Sequence, residues 1–550
     1  NLVNLKRINL NFCKNLVEVP DLSMATNLQA VSLNKCKSLR QVHPSILSLP
    51  RLKDLGLRGC TEIQSLKSDV PLESLVSLGL SKCSSLKEFS VSSVELRELW
   101  LDGTHIQELP SSVWQSPNLR ILNLQDCENL DNFGDKFSYD RRTADCRVLG
   151  LSGCKQLCAS NLHFILDGLP SLEYLSLEYC CNLRMLPDSI GLLSSLEELK
   201  LSGSNVESLP ASIKNLPSLT YLELVYCCNL RMLPDSIGLL SSLEKLNLSG
   251  SNVESLPASI KNLSKLRHLY LNVCMKLTSL PELPHTLQLL RAANCTSLVA
   301  SFTQLNIRSG SILVPGGRVP DWFSFHAEGA SVTIPHLPHA GLCGFVFGVV
   351  LSQSASIGKY GSPSIGKYGY VDCFIYKNSK KKRINDRKIT LLVEQNLSMD
   401  HVFLFFVDIT KGGDNSNLKK LQKGGDDSVL MRLLKGEAFD PPKISFEFLP
   451  KYGDGKRSTK QIKECGVYPI YASEQKGLEL KFGVGDRSRD IVELEPDNSN
   501  DIDGLQFKGS NHNSEDSQTK KLEEVVHQTI TTGLKHVKGD SNENSCHDFV

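Results

Sequence analysis

Leucines and their aliphatic equivalents recur on a fixed grid from the start of this 550-residue chain to about position 298. The unit reads L-x-x-L-x-L-x-x-C: Leu5, Ile8, Leu10, Cys13, then Leu28, Val31, Leu33, Cys36, then Leu52, Leu55, Leu57, Cys60. It continues through Leu266, Leu269, Leu271, Cys274 to a weaker last copy at Leu287, Leu290, Ala292, Cys295. About thirteen copies follow one another, roughly 21 to 27 residues apart. Neither a helix nor an isolated strand requires leucines at that spacing. A unit of this length cannot bury its apolar face alone, so the copies must stack side by side.

This is the period of leucine-rich repeats, and it predicts an α/β solenoid with parallel strands on the concave face. Each x-x-L-x-L-x-x stretch forms a short strand, its leucines turned to the core and the intervening residues to the concave side. The return segment often reads L-P-x-S-I-x-x-L, as at 186–193, 209–216 and 233–240. Proline there ends the strand, and the serine two residues on is placed to cap a short helical turn. Residues 129–146 stretch one repeat with charge and aromatics and read as an outward bulge. From Leu287 the pattern decays, as a terminal cap would.

Residues 179–216 return almost unchanged as 226–263, differing only at Glu198/Lys245 and Lys200/Asn247. The block spans two repeats, so it lengthens the stack without disturbing it. Both differing pairs fall at strand positions between leucines, on the face predicted to be exposed.

Ten of the 18 cysteines share one repeat position: Cys13, Cys36, Cys60, Cys83, Cys127, Cys154, Cys180, Cys227, Cys274 and Cys295. A small side chain with a weak donor can satisfy loop carbonyls there. One thiol per repeat points to buried, reduced cysteines and an intracellular protein. No C-x-x-C pair with matching His or Cys supports zinc.

The formal net charge of +1 gives no general pull toward nucleic acid or acidic membranes. The longest apolar run, near 341–351, is far short of the roughly 20 residues that span a bilayer. The chain opens at Asn1 inside a repeat and reads as a fragment lacking its N-terminal portion.

Past the repeats, residues 310–475 read as a β domain. Runs at 331–334, 345–350, 371–376, 389–393, 402–407 and 444–448 are rich in β-branched and aromatic residues and are separated by turn formers, which suits a two-sheet sandwich. Trp322 and Phe323 read as core anchors. Residues 361–368 (GSPSIGKY) nearly fit a phosphate-binding loop, but Tyr368 replaces the metal-binding hydroxyl. The KKKR run at 380–383 reads as a solvated hairpin tip. After about Gly485 the composition is that of a disordered tail, in which apolar residues at helical spacing predict a short amphipathic helix at 520–537. No acid–base pair recurs at catalytic spacing, so no catalytic, cofactor or metal site is expected.

Residues 13–33 (CKNLVEVPDLSMATNLQAVSL) and 277–298 (LTSLPELPHTLQLLRAANCTSL) resemble the repeat array of plant intracellular immune receptors. The subclass is the one with a TIR signalling domain and a nucleotide-binding switch ahead of the repeats. Residues 314–338 (VPGGRVPDWFSFHAEGASVTIPHLP) are similar to the opening of the jelly-roll/Ig-like domain that follows the repeats in that family. GFVFGVVL (344–351), HVFLFF (401–406), KISFEF (443–448) and IKECGVYPIY (462–471) continue the match, with Arg318 standing where an acidic residue is expected. The resemblance implies a repeat array at 1–305, a jelly-roll/Ig-like domain at 310–475 and a tail at 485–550. It also implies a pathogen effector protein as partner, contact with an upstream nucleotide-binding domain, oligomers only through domains outside this chain, and a cytoplasmic or nuclear location. The NAD-cleaving activity of the family belongs to the TIR domain, which this chain does not contain.

Aromatic residues and arginine dominate binding energy at protein-binding surfaces. The richest concave patch is predicted at Tyr174, Glu178 and Tyr179, then Tyr221, Glu223 and Tyr226 two strands on, then Arg267, His268 and Tyr270, with Trp100 standing alone earlier. The five tyrosines are expected to share one concave face. An intracellular signalling scaffold that merely docks a partner is the alternative; a cell-surface ectodomain is disfavoured because the N-x-L-x-G-x-I-P signature never appears.

Overall fold

The computed structural model describes residues 2–133 except 69 and 115, 145–298, 311–335, 337, 342–352, 368–377, 389–394, 397, 399–408, 443–452 and 462–471. The extended repeat at 134–144, the motifs at 361–367 and 380–383, and everything after 471, including the expected helix at 520–537, lie outside these residues.

Thirteen three-residue strands, from Arg7–Asn9 to Leu289–Arg291, pair in parallel in chain order. The middle residue of each strand is a grid aliphatic, and the register sets them opposite one another, as in Leu199, Leu222, Leu246 and Leu269. From Val31 onward these side chains are buried in one continuous core. Extra length is absorbed outside the strands, so Leu122 and Leu149 stay paired although their repeat is the longest.

The return segments correct one expectation. Asp188–Leu192, Ala211–Asn215, Asp235–Leu239 and Ala258–Asn262 are 3₁₀ turns whose N-caps are Pro187, Pro210, Pro234 and Pro257, with no side-chain cap bond. The serine falls inside the turn rather than ahead of it, where its hydroxyl cannot reach the first free N–H groups. Ser212 instead donates to Asp188 of the previous repeat, 3.1 Å away.

Every repeat turns out of its strand through one residue at positive φ, immediately before the cysteine position. Glycine fills it at 59, 103, 153, 203 and 250; Phe12, Lys35, Lys82, Asp126, Tyr179, Tyr226, Val273 and Asn294 fill it elsewhere. From Lys35 to Gly250 the two kinds strictly alternate. The reason is space: a Cβ on Gly203 would lie 2.5 Å from the Tyr179 ring, and one on Gly250 2.4 Å from the Tyr226 ring. Each side chain covers the glycine of the next repeat.

Nine of the ladder thiols donate to the carbonyl of the third grid leucine of a preceding repeat, at 2.9–3.2 Å, as Cys60 does to Leu33 and Cys227 to Leu201. Thr104, Ser204 and Ser251 take the place of cysteine in the other repeats, and Thr104 and Ser251 donate to Leu101 and Leu248 of their own repeat. Burial pushes the Cys60 thiol up to about 11 and those of Cys83, Cys127, Cys180 and Cys227 up to about 12. Cys13 departs from the expected burial: on the first described turn it is exposed, since no earlier strand lies beside it here.

The weak last repeat is not a cap. Leu289–Arg291 pairs in parallel with Ser311–Pro315, which pairs antiparallel with His401–Asp408, so the repeat sheet continues into the following β domain. Strands Leu342–Leu351, Ile462–Tyr471 and Phe325–Glu328 extend it to eighteen strands. Its residues alternate between two cores: Ile312, Val314, Val402 and Leu404 join the repeat core, whereas Leu313, Phe403 and Phe405 face the second. A four-stranded sheet (Ser331–Ile334, Ile444–Tyr452, Tyr368–Lys377, Ile389–Glu394) supplies the other side of that second core with Phe446 and Phe448. Three strands, 311–315, 325–328 and 462–471, are not among the runs that composition marks as strands; they are the ones at the junction or carrying interspersed polar residues. Of the two expected anchors, Phe323 is buried, but Trp322 lies on the surface against Phe323 and Tyr468.

The junction is pinned by polar contacts. The Asn294 N–H donates to His401 Nε2 at 2.9 Å, and Arg291 donates to Ser311 Oγ at 3.1 Å while its guanidinium lies 5.6 Å from the Phe403 ring centre.

Candidate protein-binding face

The first and third residues of every strand leave the sheet on the concave side, because the middle leucine points inward and strand side chains alternate. The first column reads Tyr174, Glu198, Tyr221, Lys245, His268, and the third Ser176, Lys200, Glu223, Asn247, Tyr270. Lysine and tyrosine therefore alternate along successive strands. The Lys245 ammonium lies 4.2 Å from the centre of the Tyr221 ring and 5.9 Å from that of Tyr270. Lys200 lies 5.0 Å from the Tyr174 ring and 3.9 Å from Glu198 Oε2. The His268 and Tyr270 rings sit 6.4 Å apart.

The two lysines were not among the residues singled out from sequence, yet a signal pointed to them. They are two of the four residues that differ between the duplicated blocks. The substitutions move a lysine from the third column to the first, so the copies diverged on the concave face.

Electrostatics fixes the charge states. Burial raises the Tyr221 phenol, and the Glu223 carboxylate raises it further, so it stays a neutral donor. Burial lowers His268, and the neighbouring Lys245 and Arg267 lower it further, leaving the ring neutral at pH 7. Burial alone would lower Lys200, but Tyr174 and the Glu198 and Glu223 carboxylates outweigh it and leave it raised.

The predicted residues do not all come together. Tyr174 and Glu178 lie on the concave side but are only 5% and 7% exposed, closed over by their neighbours, as is Lys200 at 7%. Tyr179 and Tyr226 do not belong to the concave face: they occupy the positive-φ turn after the strand, 46% and 41% exposed, lying over Gly203 and Gly250. The two-strand spacing of the duplication mimicked a shared face that the backbone does not provide. Trp100 is half-buried in the third column, its indole N–H 3.5 Å from Glu98, with strands Ile121–Asn123 and Val148–Gly150 between it and Tyr174. Arg267 precedes its strand and is exposed. The accessible cluster is thus Tyr221, Glu223, Lys245, Asn247, His268 and Tyr270, all half-buried on three adjacent strands.

A protein-family description, "Leucine-rich repeat region", matches residues 141–232. The disease resistance protein RPS4B of Arabidopsis thaliana is 38% identical over 165 residues, covering 27% of this chain and 14% of that protein. The TMV resistance protein N of Nicotiana glutinosa is 35% identical over 265 residues, covering 38% and 23%. The homologues of this chain are plant disease-resistance proteins. They are of the TIR, nucleotide-binding, leucine-rich-repeat class that residues 13–33 and 277–298 resemble, and a C-terminal repeat region fits this chain. The matched stretch spans less than a quarter of either relative's length. Among solved structures, a leucine-rich-repeat protein of Leptospira interrogans is 19% identical and covers 52% of this chain and 92% of that one at a TM-score of 0.21, too loose a likeness to add weight. No helix among the described residues is long and apolar enough to cross a membrane.

Proposed function

We propose that this chain is the recognition region of an intracellular plant immune receptor, binding a pathogen effector protein through its concave repeat face together with the β domain that follows. The observation that carries this reading is the tyrosine–lysine alternation over strands Tyr221–Glu223, Lys245–Asn247 and His268–Tyr270. It places two half-buried aromatic rings around one ammonium, a cluster with the chemistry of a protein–protein hot spot.

In this reading residues 310–475 form a jelly-roll/Ig-like domain, and the continuous sheet holds it at a fixed angle to the repeats. One ligand can then meet both surfaces. The chain itself performs no chemistry and needs no cofactor or metal. Its partners are the effector and an upstream nucleotide-binding domain, with no nucleic acid or membrane. Any oligomer forms through other domains, and the protein acts in the cytoplasm or nucleus.

The test is a pull-down of the cognate pathogen protein with Tyr221→Ala/Tyr270→Ala. Loss of at least about tenfold in affinity with an unchanged melting temperature is expected, since hot-spot aromatics contribute about 2 kcal/mol or more. Undiminished binding would move the site elsewhere on the molecule.

A further inference from the structure

The residue before each strand forms a column of its own. Its carbonyl accepts N–H groups from two residues of the next repeat, which makes successive members neighbours. Arg97 accepts from Arg120 and Ile121 at 2.8 and 3.0 Å, Arg120 from Arg147 and Val148 at 2.9 and 3.0 Å, and Arg147 from Glu173 and Tyr174 at 2.8 and 2.9 Å.

Followed along the array, the column reads Lys6, Gln29, Lys53, Val76, Arg97, Arg120, Arg147, then Glu173, Glu197, Thr220, Glu244, and last Arg267 and Gln288. Only cations and neutral residues stand before the seam, and only anions and a threonine follow it as far as Glu244. At the seam Arg147 and Glu173 pair at 3.3 Å. Arg97 and Arg120, exposed and half-buried, make no ion pair among the described residues. Glu98, in the adjoining column, accepts instead from Ser77 Oγ at 3.2 Å and from the Trp100 indole at 3.5 Å. Like charges on backbones about 4.8 Å apart repel one another, and nothing in the repeat core requires arginine at these positions.

We propose that this edge is a docking site for an acidic protein segment laid across the strands over Arg97, Arg120 and Arg147. Charge complementarity selects the occupant. Trp100 supplies the apolar contact beside it, facing the shallow step at Gly79, where an added Cβ would find only backbone atoms at 3.9–4.0 Å. The sign reversal at Glu173 sets the direction of the segment: its acidic end lies over the arginines, and any continuation toward Glu197 and Glu244 is basic or neutral. The site lies on a different stretch of the array from the tyrosine–lysine cluster and holds whether or not that cluster binds anything.

The test uses the full chain and a fluorescein-labelled peptide of Glu and Asp residues, followed by anisotropy at low and high salt. The native protein is expected to bind the peptide in a salt-sensitive manner, and Arg97→Glu/Arg120→Glu to weaken binding about tenfold or more. Tyr221→Ala/Tyr270→Ala should leave it unchanged, which separates this site from the effector reading. Arg97→Gln/Arg120→Gln, which keeps side-chain bulk, should weaken binding as well while retaining the native melting temperature. Absence of binding at low salt, or binding by either arginine variant equal to that of the native protein, would overturn the proposal.

Discussion

Replacing Gly203 by alanine tests the packing rule that places Tyr179 off the concave face. Gly203 has φ +69°, where an L side chain is strained by about 1–2 kcal/mol. An added Cβ would also stand 2.5 and 2.6 Å from Tyr179 Cδ1 and Cε1. The ring is part-exposed and can swing out, so relieving the clash costs the stacking contact rather than a backbone shift, about 1 kcal/mol more. Gly203→Ala should therefore destabilise the array by about 2–3 kcal/mol. Tyr179→Ala/Gly203→Ala should recover the steric part but not the backbone strain, leaving a coupling of about 1 kcal/mol between the two positions. Urea unfolding of the four proteins measures both quantities. Strictly additive effects would refute the idea that the tyrosine occupies the space over the glycine, and a neutral Gly203→Ala would refute the left-handed turn itself.

Three other outcomes follow from the same geometry. Leu222→Ala or Leu246→Ala, each removing a fully buried aliphatic, should cost roughly 2–5 kcal/mol, whereas Glu223→Ala and Asn247→Ala on the concave face should change stability little; equal losses in urea unfolding would mean the strand register is wrong. Val273→Asn should stabilise the protein by about 1 kcal/mol, because a β-branched residue at φ 61° is strained and asparagine tolerates that region, as Asn294 does one repeat on; a loss of stability would contradict this. Stability should fall as pH rises above about 9, because folded thiols such as Cys127 keep their proton to about 12 whereas the unfolded chain releases it near 9.0, so the unfolded state binds fewer protons and each such thiol costs about 1.4 kcal/mol per pH unit in that window; Cys127→Ser should flatten the alkaline limb by that share, and an unchanged limb would refute it.

The repeat array was legible because its core is periodic: leucines at fixed offsets leave one way to stack them, and Leu199, Leu222, Leu246 and Leu269 are paired as the spacing requires. The concave face was legible only in part. Sequence spacing identifies which residues recur, but whether a recurring tyrosine lies in the strand or in the turn depends on one backbone dihedral. Tyr221 and Tyr226 are five residues apart and face different surfaces for that reason. Burial was misjudged where large neighbours close over a position, as at Tyr174 and Lys200. The passage of the repeat sheet into the β domain could not be read locally either, since it depends on pairing Leu289–Arg291 with Ser311–Pro315 and these with His401–Asp408, about a hundred residues further on.

The central claim, that the concave strands at 221–270 contact a protein partner, is tested most directly by a photo-crosslinking amino acid placed at Glu223, with Asn215 on the convex side as the control. Irradiated with the cognate pathogen protein, the chain carrying the label at 223 should form a crosslinked complex and the one labelled at 215 should not. Crosslinking from 215 alone, or from neither position while the two proteins still associate, would contradict it.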